Sequence, residues 1–370
     1  MVAPDAEPKI NLAGQWQLTW WRFRRHRVAV VSGVIVILIY LVAIFGEFLA
    51  PFPPEYGMQL YPLAPPQPLH FMRQTPDGVK FGLYVNGFKV TRDPVSLRRS
   101  FGVDESVIIP VSPFGKGADY KLFGLIPSNI HLITPDNPAD PMFLIGGDRL
   151  GRDVLSRTIA GTRISMSIGL IGVGMSLFLG ILLGGISGYF GGVVDLLIQR
   201  LIEILHSIPT IPLWMGLAAA IPQDWTPVQV YFAITVILSL IGWTGLAREV
   251  RGKFMGMKND DFVIAARLDG SSELHIIGKH MVPSFLSHII ASMTLAIPAM
   301  ILAETALSFL GIGLRPPVVS WGVLLQEAQN VRSVASSPWL FLPGVAIVVA
   351  VLCMNFLGDG LIDAADPYGT

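Results

Sequence analysis

Long stretches without a charged residue alternate with polar segments along this chain. Residues 164–194, 228–247, 281–303 and 338–357 carry no Asp, Glu, Lys or Arg, and residues 28–50 carry only Glu47, near the end of that run. At about 1.5 Å per residue, each run is long enough as a helix to cross a hydrocarbon layer ~30 Å thick. Residues 204–221 form a further apolar run, interrupted by Pro209 and Pro212, with Arg200, Glu203 and His206 crowding its start. Prolines are tolerated in packed membrane helices, so this run counts as a span, third in order of six. Within residues 164–194, Gly180, Gly184, Gly188 and Gly192 recur every four positions. On a helix they form one smooth stripe against which another backbone can lie closely. The stripe fits either tight packing or a contact that slides during gating.

Residues 51–161 break the pattern. They hold Pro51, Pro53, Pro54, Pro62, Pro65, Pro66 and Pro68, mixed charge and short alternating runs. Residues 79–85 and 87–90 flank Asn86-Gly87, a strong turn dipeptide, and predict a β-hairpin; residues 107–111 predict another strand. This segment reads as a small β-rich insert, which either touches a partner that delivers solute or braces the face on which it lies.

Charge adds orientation. Arg22, Arg24, Arg25 and Arg27 precede the first span, with Trp16, Trp20 and Trp21 as interfacial aromatics. Residues 248–283 carry Arg248, Arg251, Lys253, Lys258, Arg267 and Lys279; loop 222–227 carries no basic residue, and the loop after Leu310 only Arg315 and Arg332. The positive-inside rule places the basic segments in the cytoplasm, and long loops such as 51–163 translocate largely regardless of charge. The expectation is an all-α polytopic membrane protein with six transmembrane helices, both termini cytoplasmic, and an external β-containing insert between helices 1 and 2. Its parts are a cytoplasmic segment 1–27, helix 28–50, insert 51–161, a five-helix core 162–360 with a cytoplasmic loop 248–283, and a cytoplasmic tail 361–370. The first span exceeds the apolar core of a signal peptide and reads as an uncleaved anchor.

Composition agrees: 14% of residues are charged, against about a quarter in soluble domains. Net charge is zero, so bulk charge implies no nucleic-acid partner. Cys353 is the single cysteine; it forms no intrachain disulfide and reads as a small buried hydrophobe.

Several chemistries are missing. The Gly-Lys pairs at Gly115, Gly252 and Gly278 are followed by Gly117, Phe254 and His280, so there is no phosphate-cradling G-x-x-x-x-G-K-[ST]. No H-E-x-x-H, CxxC or G-x-S-x-G occurs, and His275, His280 and His288 have no carboxylate at metal-ligand spacing. A membrane-embedded hydrolase would rest on Ser308 and His288 by residue type alone. Glu304 follows a long apolar run; such a group faces a wet interior, where it would line a translocation path, or sits near enough to the outer interface to be solvated. Between the fourth and fifth spans, Asp260-Asp261-Phe262-Val263-Ile264-Ala265-Ala266-Arg267-Leu268-Asp269-Gly270 is a polar, amphipathic helical stretch, with the small residues of a surface built to fit another protein.

That stretch and its continuation, Ala265-Ala266-x-x-x-Gly270 followed after nine residues by His280-Met281-Val282-Pro283, resemble the "EAA" loop of importer-type ABC transporter permeases. Gly147-Asp148-Arg149-Leu150-Gly151-Arg152-Asp153-Val154-Leu155-Ser156-Arg157 resembles the signature before the second span in the branch handling di- and oligopeptides, nickel and some oligosaccharides. Glu304-Thr305-Ala306-Leu307-Ser308-Phe309-Leu310-Gly311-Ile312-Gly313, through Pro316-Pro317 to Ser320-Trp321-Gly322, resembles that branch's signature after the fifth span, and Asp363-Ala364-Ala365-Asp366-Pro367 its ending. The likeness covers residues 22–42 and 146–367 and points to the second permease of a pair. Ile264 stands where the loop's glutamate would be, His280 and Val282 replace the usual Ile and Leu, and the 51–145 insert is longer than in compact members.

The resemblance implies an inner-membrane, multi-pass permease of a bacterium or archaeon. Its partners would be a homologous permease, two ATP-binding cassette subunits carrying ATP and Mg, an extracytoplasmic solute-binding protein and the bilayer. The chain itself would hold no cofactor and no metal and perform no covalent chemistry. Ala265, Ala266, Arg267, Asp269, Gly270, His280 and Pro283 would couple to an ATPase. Glu304, Ser308 and Trp321 would line the path or outer gate, and Gly151, Arg152 and Asp153 would be signature residues. The competing classes are a secondary transporter driven by an ion gradient and an intramembrane enzyme.

Overall fold

The computed structural model describes residues 15–75, 78–92, 94, 99–329 and 335–365. The chain is predominantly helical. Helices α1 (Gln15–Arg25) and α2 (Arg27–Ile44) are separated at His26, whose Nδ1 accepts from the Ala29 N–H and so caps α2. A short α3 (Gly46–Leu49) follows.

Among the described residues, six strands come next: β1 (His70–Thr75), β2 (Gly78–Arg92), β3 (Arg99–Pro113), β4 (Lys116–Leu122), β5 (Ile126–Ile130) and β6 (Ile133–Pro135). They form an antiparallel four-stranded sheet, β1-β2-β3-β6, and a separate β4-β5 hairpin. The strand expected at residues 107–111 is part of β3. The hairpin expected at Asn86-Gly87 is not present: β2 runs straight through both residues, and its pairing with β3 shifts register there. Gly87 serves close approach instead of a turn, since a Cβ on it would stand 2.6 Å from the Val107 side chain. Phe52, Met58, Val85, Ile109, Met142 and Phe143 are among the residues that close the apolar core beneath this sheet.

The remaining helices are α4 (Val154–Phe190), α5 (Gly192–Ser207), α6 (Thr210–Ala219), α7 (Pro227–Met257), α8 (Asp261–Leu268), α9 (Glu273–His275), α10 (Val282–Ser284), α11 (Leu286–Phe309), α12 (Trp321–Ala328) and α13 (Leu342–Ala365), with a π-helical segment Ile276–Met281 before α10. Among the described residues, five helices are long and apolar enough to cross a membrane, or six spans if the pair α5 and α6 counts as one. That pair bends by 85°. Proline disfavours helical backbone in the residue before it; Ile208, preceding Pro209, is accordingly extended with ψ 129°. Helix α4 begins ten residues earlier than the uncharged run beginning at 164, so Arg157 and Arg163 belong to its opening turns. Asp366, Pro367 and Arg332 lie outside the described residues.

The chain divides into two compact units, one made of Met1–Ile37, Ser167–Glu304 and Val349–Thr370, the other of Leu38–Met166 and Thr305–Val348. In the first, the glycine stripe of α4 lies against α7. A Cβ on Gly180 would touch Leu246, one on Gly184 would stand 2.4 Å from the Ala247 carbonyl oxygen, and one on Gly188 would be 2.7 Å from that of Arg251. Only small residues allow that approach. Gly192 falls beyond the break at Gly191 and has no such neighbour.

Candidate functional site

The loop between α7 and α11 is built as a seat. In α8, Val263 and Ala266 are buried, packed with Tyr189 of α4, Val250 and Phe254 of α7, and Ile276, Ile277 and Met281 of the π-helical segment. Ala266 therefore faces the chain's own core, where its small size lets α8 settle closely, and Ala265 alone of the pair faces outward. The outer face of α8 is apolar where a solvated helix would be polar: Phe262 is 38%, Ile264 41% and Leu268 83% exposed. Arg267 caps this arrangement from the last turn. Its guanidinium lies 5.6 Å over the Tyr189 ring and donates to the Tyr189 hydroxyl at 3.2 Å.

Helix α8 stops in a Schellman motif. The Gly270 N–H bonds to the Arg267 carbonyl and the Ser271 N–H to that of Ala266, both at 3.1 Å. The motif needs a left-handed residue after the cap; Gly270 supplies it at φ +76°. Asp269 is the cap itself, exposed and helical. Ser272 occupies the N-cap of α9, with no side-chain cap bond. His280, half-buried in the π-helical segment, stacks edge-on with His275 at 5.9 Å between ring centroids. Pro283 is the second residue of α10, directly after the π-helical segment Ile276–Met281.

In the second unit, the 147–157 signature forms a buried charge cluster. Asp148 accepts from the backbone N–H groups of Leu150 and Arg152, from Arg152 Nε at 2.7 Å and from Arg157 at 2.6 Å. Both arginines also donate to Glu327 of α12, Arg157 at 2.6 Å and Arg152 at 3.0 Å. Two cations and two carboxylates close with no net charge. Asp148 and Arg157 are almost wholly buried. Gly151 turns the chain at φ +72°, and a Cβ there would fall 2.1 Å from the Met58 carbonyl oxygen. Asp153 caps α4, accepting from the N–H and hydroxyl of Ser156 at 2.8 and 2.6 Å. Burial pushes its carboxyl up to about 6, against the opposing pull of those bonds.

The segment after α11 packs on the start of α4. The Trp321 backbone N–H donates to Ser165 Oγ, and its indole N–H donates to the Thr158 carbonyl, both at 3.1 Å. Ser308 Oγ accepts from the Leu314 N–H at 3.0 Å. Ser308 and Trp321 are fully buried, as is Glu304 in the first unit; each faces protein in this structure. His288 stands 3.7 Å from Glu249.

The structure thus brings Gly151, Arg152 and Asp153 together in one cluster and Ala266 and Arg267 onto one seat. Sequence reasoning missed Glu327. A signal existed: residues 148–157 carry three arginines against two aspartates, and Glu327 is the lone ionisable residue of the apolar α12. A buried excess cation requires a carboxylate from elsewhere.

Residues 180–368 match the family described as binding-protein-dependent transport system inner membrane component, and residues 14–66 match the N-terminal membrane domain of oligopeptide transport permease C. The chain belongs to the binding-protein-dependent transport permeases. It is similar to the oligopeptide transport system permease protein OppC of Haemophilus influenzae, 41% identical over 60% of this chain and 69% of that one. It is also similar to the dipeptide transport system permease protein DppC of Bacillus subtilis, 38% identical over 60% and 68%. The DppC of Lactococcus lactis is 29% identical over 98% of this chain and 92% of its own length, so that likeness runs through the sheet region as well.

Proposed function

We propose that this chain is one of two homologous permeases in an ATP-driven peptide importer of a bacterial or archaeal inner membrane, oriented with both termini and the α8 loop in the cytoplasm and the sheet region outside. The relatives' peptide specificity supports the solute class, and the basic residues of 248–283 support the orientation. A solute-binding protein would deliver peptide to the sheet side, and two ATPase subunits carrying ATP and Mg would drive the change of access.

The observation that carries the coupling role is the outward apolar face of α8, held rigidly by Val263 and Ala266 and ended sharply at Gly270. An exposed apolar patch rimmed by Asp260, Asp261, Arg267 and Asp269 is the mark of a protein interface. With Ile264 in the glutamate's place, contact there rests on shape. Ala265, Phe262 and Leu268 would enter an ATPase groove, while Arg267 and Asp269 orient it and His280 and Pro283 carry motion into α11. Glu304, and separately Ser308 and Trp321, would belong to the translocation path or the outer gate.

The test uses the assembled transporter in vesicles. Leu268→Glu alters only the exposed face, and Gly270→Val removes the left-handed turn. Both should leave insertion intact and lower ATP-driven peptide uptake at least tenfold. Uptake at the parent rate in both would remove the coupling assignment. Peptide flux driven by an ion gradient without any ATPase would replace it with a secondary transporter.

A further inference from the structure

Two turns in the sheet region carry phenylalanine in a backbone conformation that favours glycine. Phe114, between β3 and β4, has φ +53°, and Phe123, between β4 and β5, has φ +55°. Bulky residues enter the left-handed region only at a cost. Burial does not offset that cost, because Phe114 is 65% and Phe123 51% exposed. The second turn continues as Gly124-Leu125-Ile126, with Leu125 81% and Ile126 57% exposed. Both turns therefore hold large apolar side chains away from the core.

Their position is what gives this meaning. The Phe123 ring lies 5.9 Å from that of Phe45, and the Phe114 ring 6.1 Å from that of Phe48. Phe45 directly follows α2, an 18-residue apolar helix. Such a helix rises about 27 Å, nearly the ~30 Å thickness of the hydrocarbon. Phe45 and the turn against it thus stand where α2 leaves the membrane. Leu41, Ile44 and Phe45 are themselves outward-facing, so the apolar surface of the turns continues the exposed apolar surface of α2. Lys116 and Lys121, both exposed, flank the two turns, and ammonium groups on long stems suit the headgroup level. Asp119 lies between them on β4.

We propose that the turns at Phe114 and at Phe123–Ile126 insert into the headgroup–acyl boundary beside the end of α2, tying the sheet region to the bilayer at a point besides its two covalent ends. The occupant of this patch is the lipid surface, not another protein. The proposal requires that α2 span the membrane; it does not depend on the solute or on the coupling role of α8.

Spin labels test it in the full chain reconstituted in vesicles of phosphatidylethanolamine and phosphatidylglycerol. Cys353→Ala clears the background, and Leu125→Cys and Ile126→Cys each place one label on an exposed turn. Val103→Cys is the aqueous reference. Val103 is 59% exposed and lies ten residues up β3 from Pro113, about 33 Å along the strand. Power saturation compares collision with oxygen, which concentrates in lipid, and with a water-soluble nickel chelate. The oxygen-to-nickel ratio at positions 125 and 126 should exceed that at 103 several-fold. A ratio equal to that at 103 would place the turn in water, and low access to both reagents would place it under a protein; either result overturns the proposal.

Discussion

Replacing Glu327 by Gln tests the buried charge cluster most directly. The change keeps size and removes one carboxylate, leaving Arg152 and Arg157 to share Asp148. Arg157 is 2% exposed, so its charge has no alternative solvent. A pair of unit charges ~4 Å apart at an effective dielectric of ~20 interacts by about 4 kcal/mol. Breaking a buried pair from one side costs about 3–5 kcal/mol. Glu327 retains 22% exposure and the amide still accepts one bond, so the lower end, about 3 kcal/mol, is expected. Equilibrium unfolding of the full chain by SDS in mixed micelles, followed by circular dichroism, measures it. A cycle with Arg157→Met should show a coupling of about 1–3 kcal/mol, because the second change removes the cation the first stranded. A loss below ~0.5 kcal/mol for Glu327→Gln, with no coupling, would refute the reasoning.

Further outcomes follow from the same geometry. Asp153 titrates at about 6 in the folded chain and at roughly 4 when unfolded, so the folded chain keeps a proton the unfolded one has released. Stability should fall as pH rises through that window, by at most about 3 kcal/mol, and level off above it; thermal unfolding of Asp153→Asn from pH 4 to 7 should lack the fall. Gly184→Ala forces a Cβ onto the Ala247 carbonyl and should cost about 1–3 kcal/mol. Gly174→Ala, with nothing within 4 Å, should be neutral or stabilising by up to ~1 kcal/mol in the same assay. Gly151→Ala would put a Cβ only 2.1 Å from the Met58 carbonyl oxygen on a left-handed backbone and should lose at least about 2 kcal/mol, seen as faster proteolysis.

The spans were legible because lipid demands uncharged runs of fixed length, a constraint written locally into residues such as 338–357. The 85° bend between α5 and α6 was only half legible. Pro209 announced an interruption, but the angle depends on packing. The Asn86-Gly87 hairpin failed for a related reason: turn propensity is local, whereas β3 pairs along the whole of β2 and needs Gly87 for the approach of Val107. In the α8 loop the two alanines looked equivalent. Helical periodicity separates them, since Val263 and Ala266 are three apart and share the inner face. The motif at 147–157 showed its glycine and its cap but not its counterion, because Glu327 lies about 170 residues away in sequence.

That separation has a consequence for how the chain is made. Arg157 and Glu327 are 170 positions apart, and at 5–20 residues per second about ten to thirty seconds pass between their synthesis. Throughout that interval two arginines outnumber Asp148, so the start of α4 would stay hydrated and loosely held while the three later spans are made. Arrival of α12 neutralises the cluster and lets it dry. A chain truncated before Glu327 would therefore carry two arginines against Asp148 alone at the head of α4.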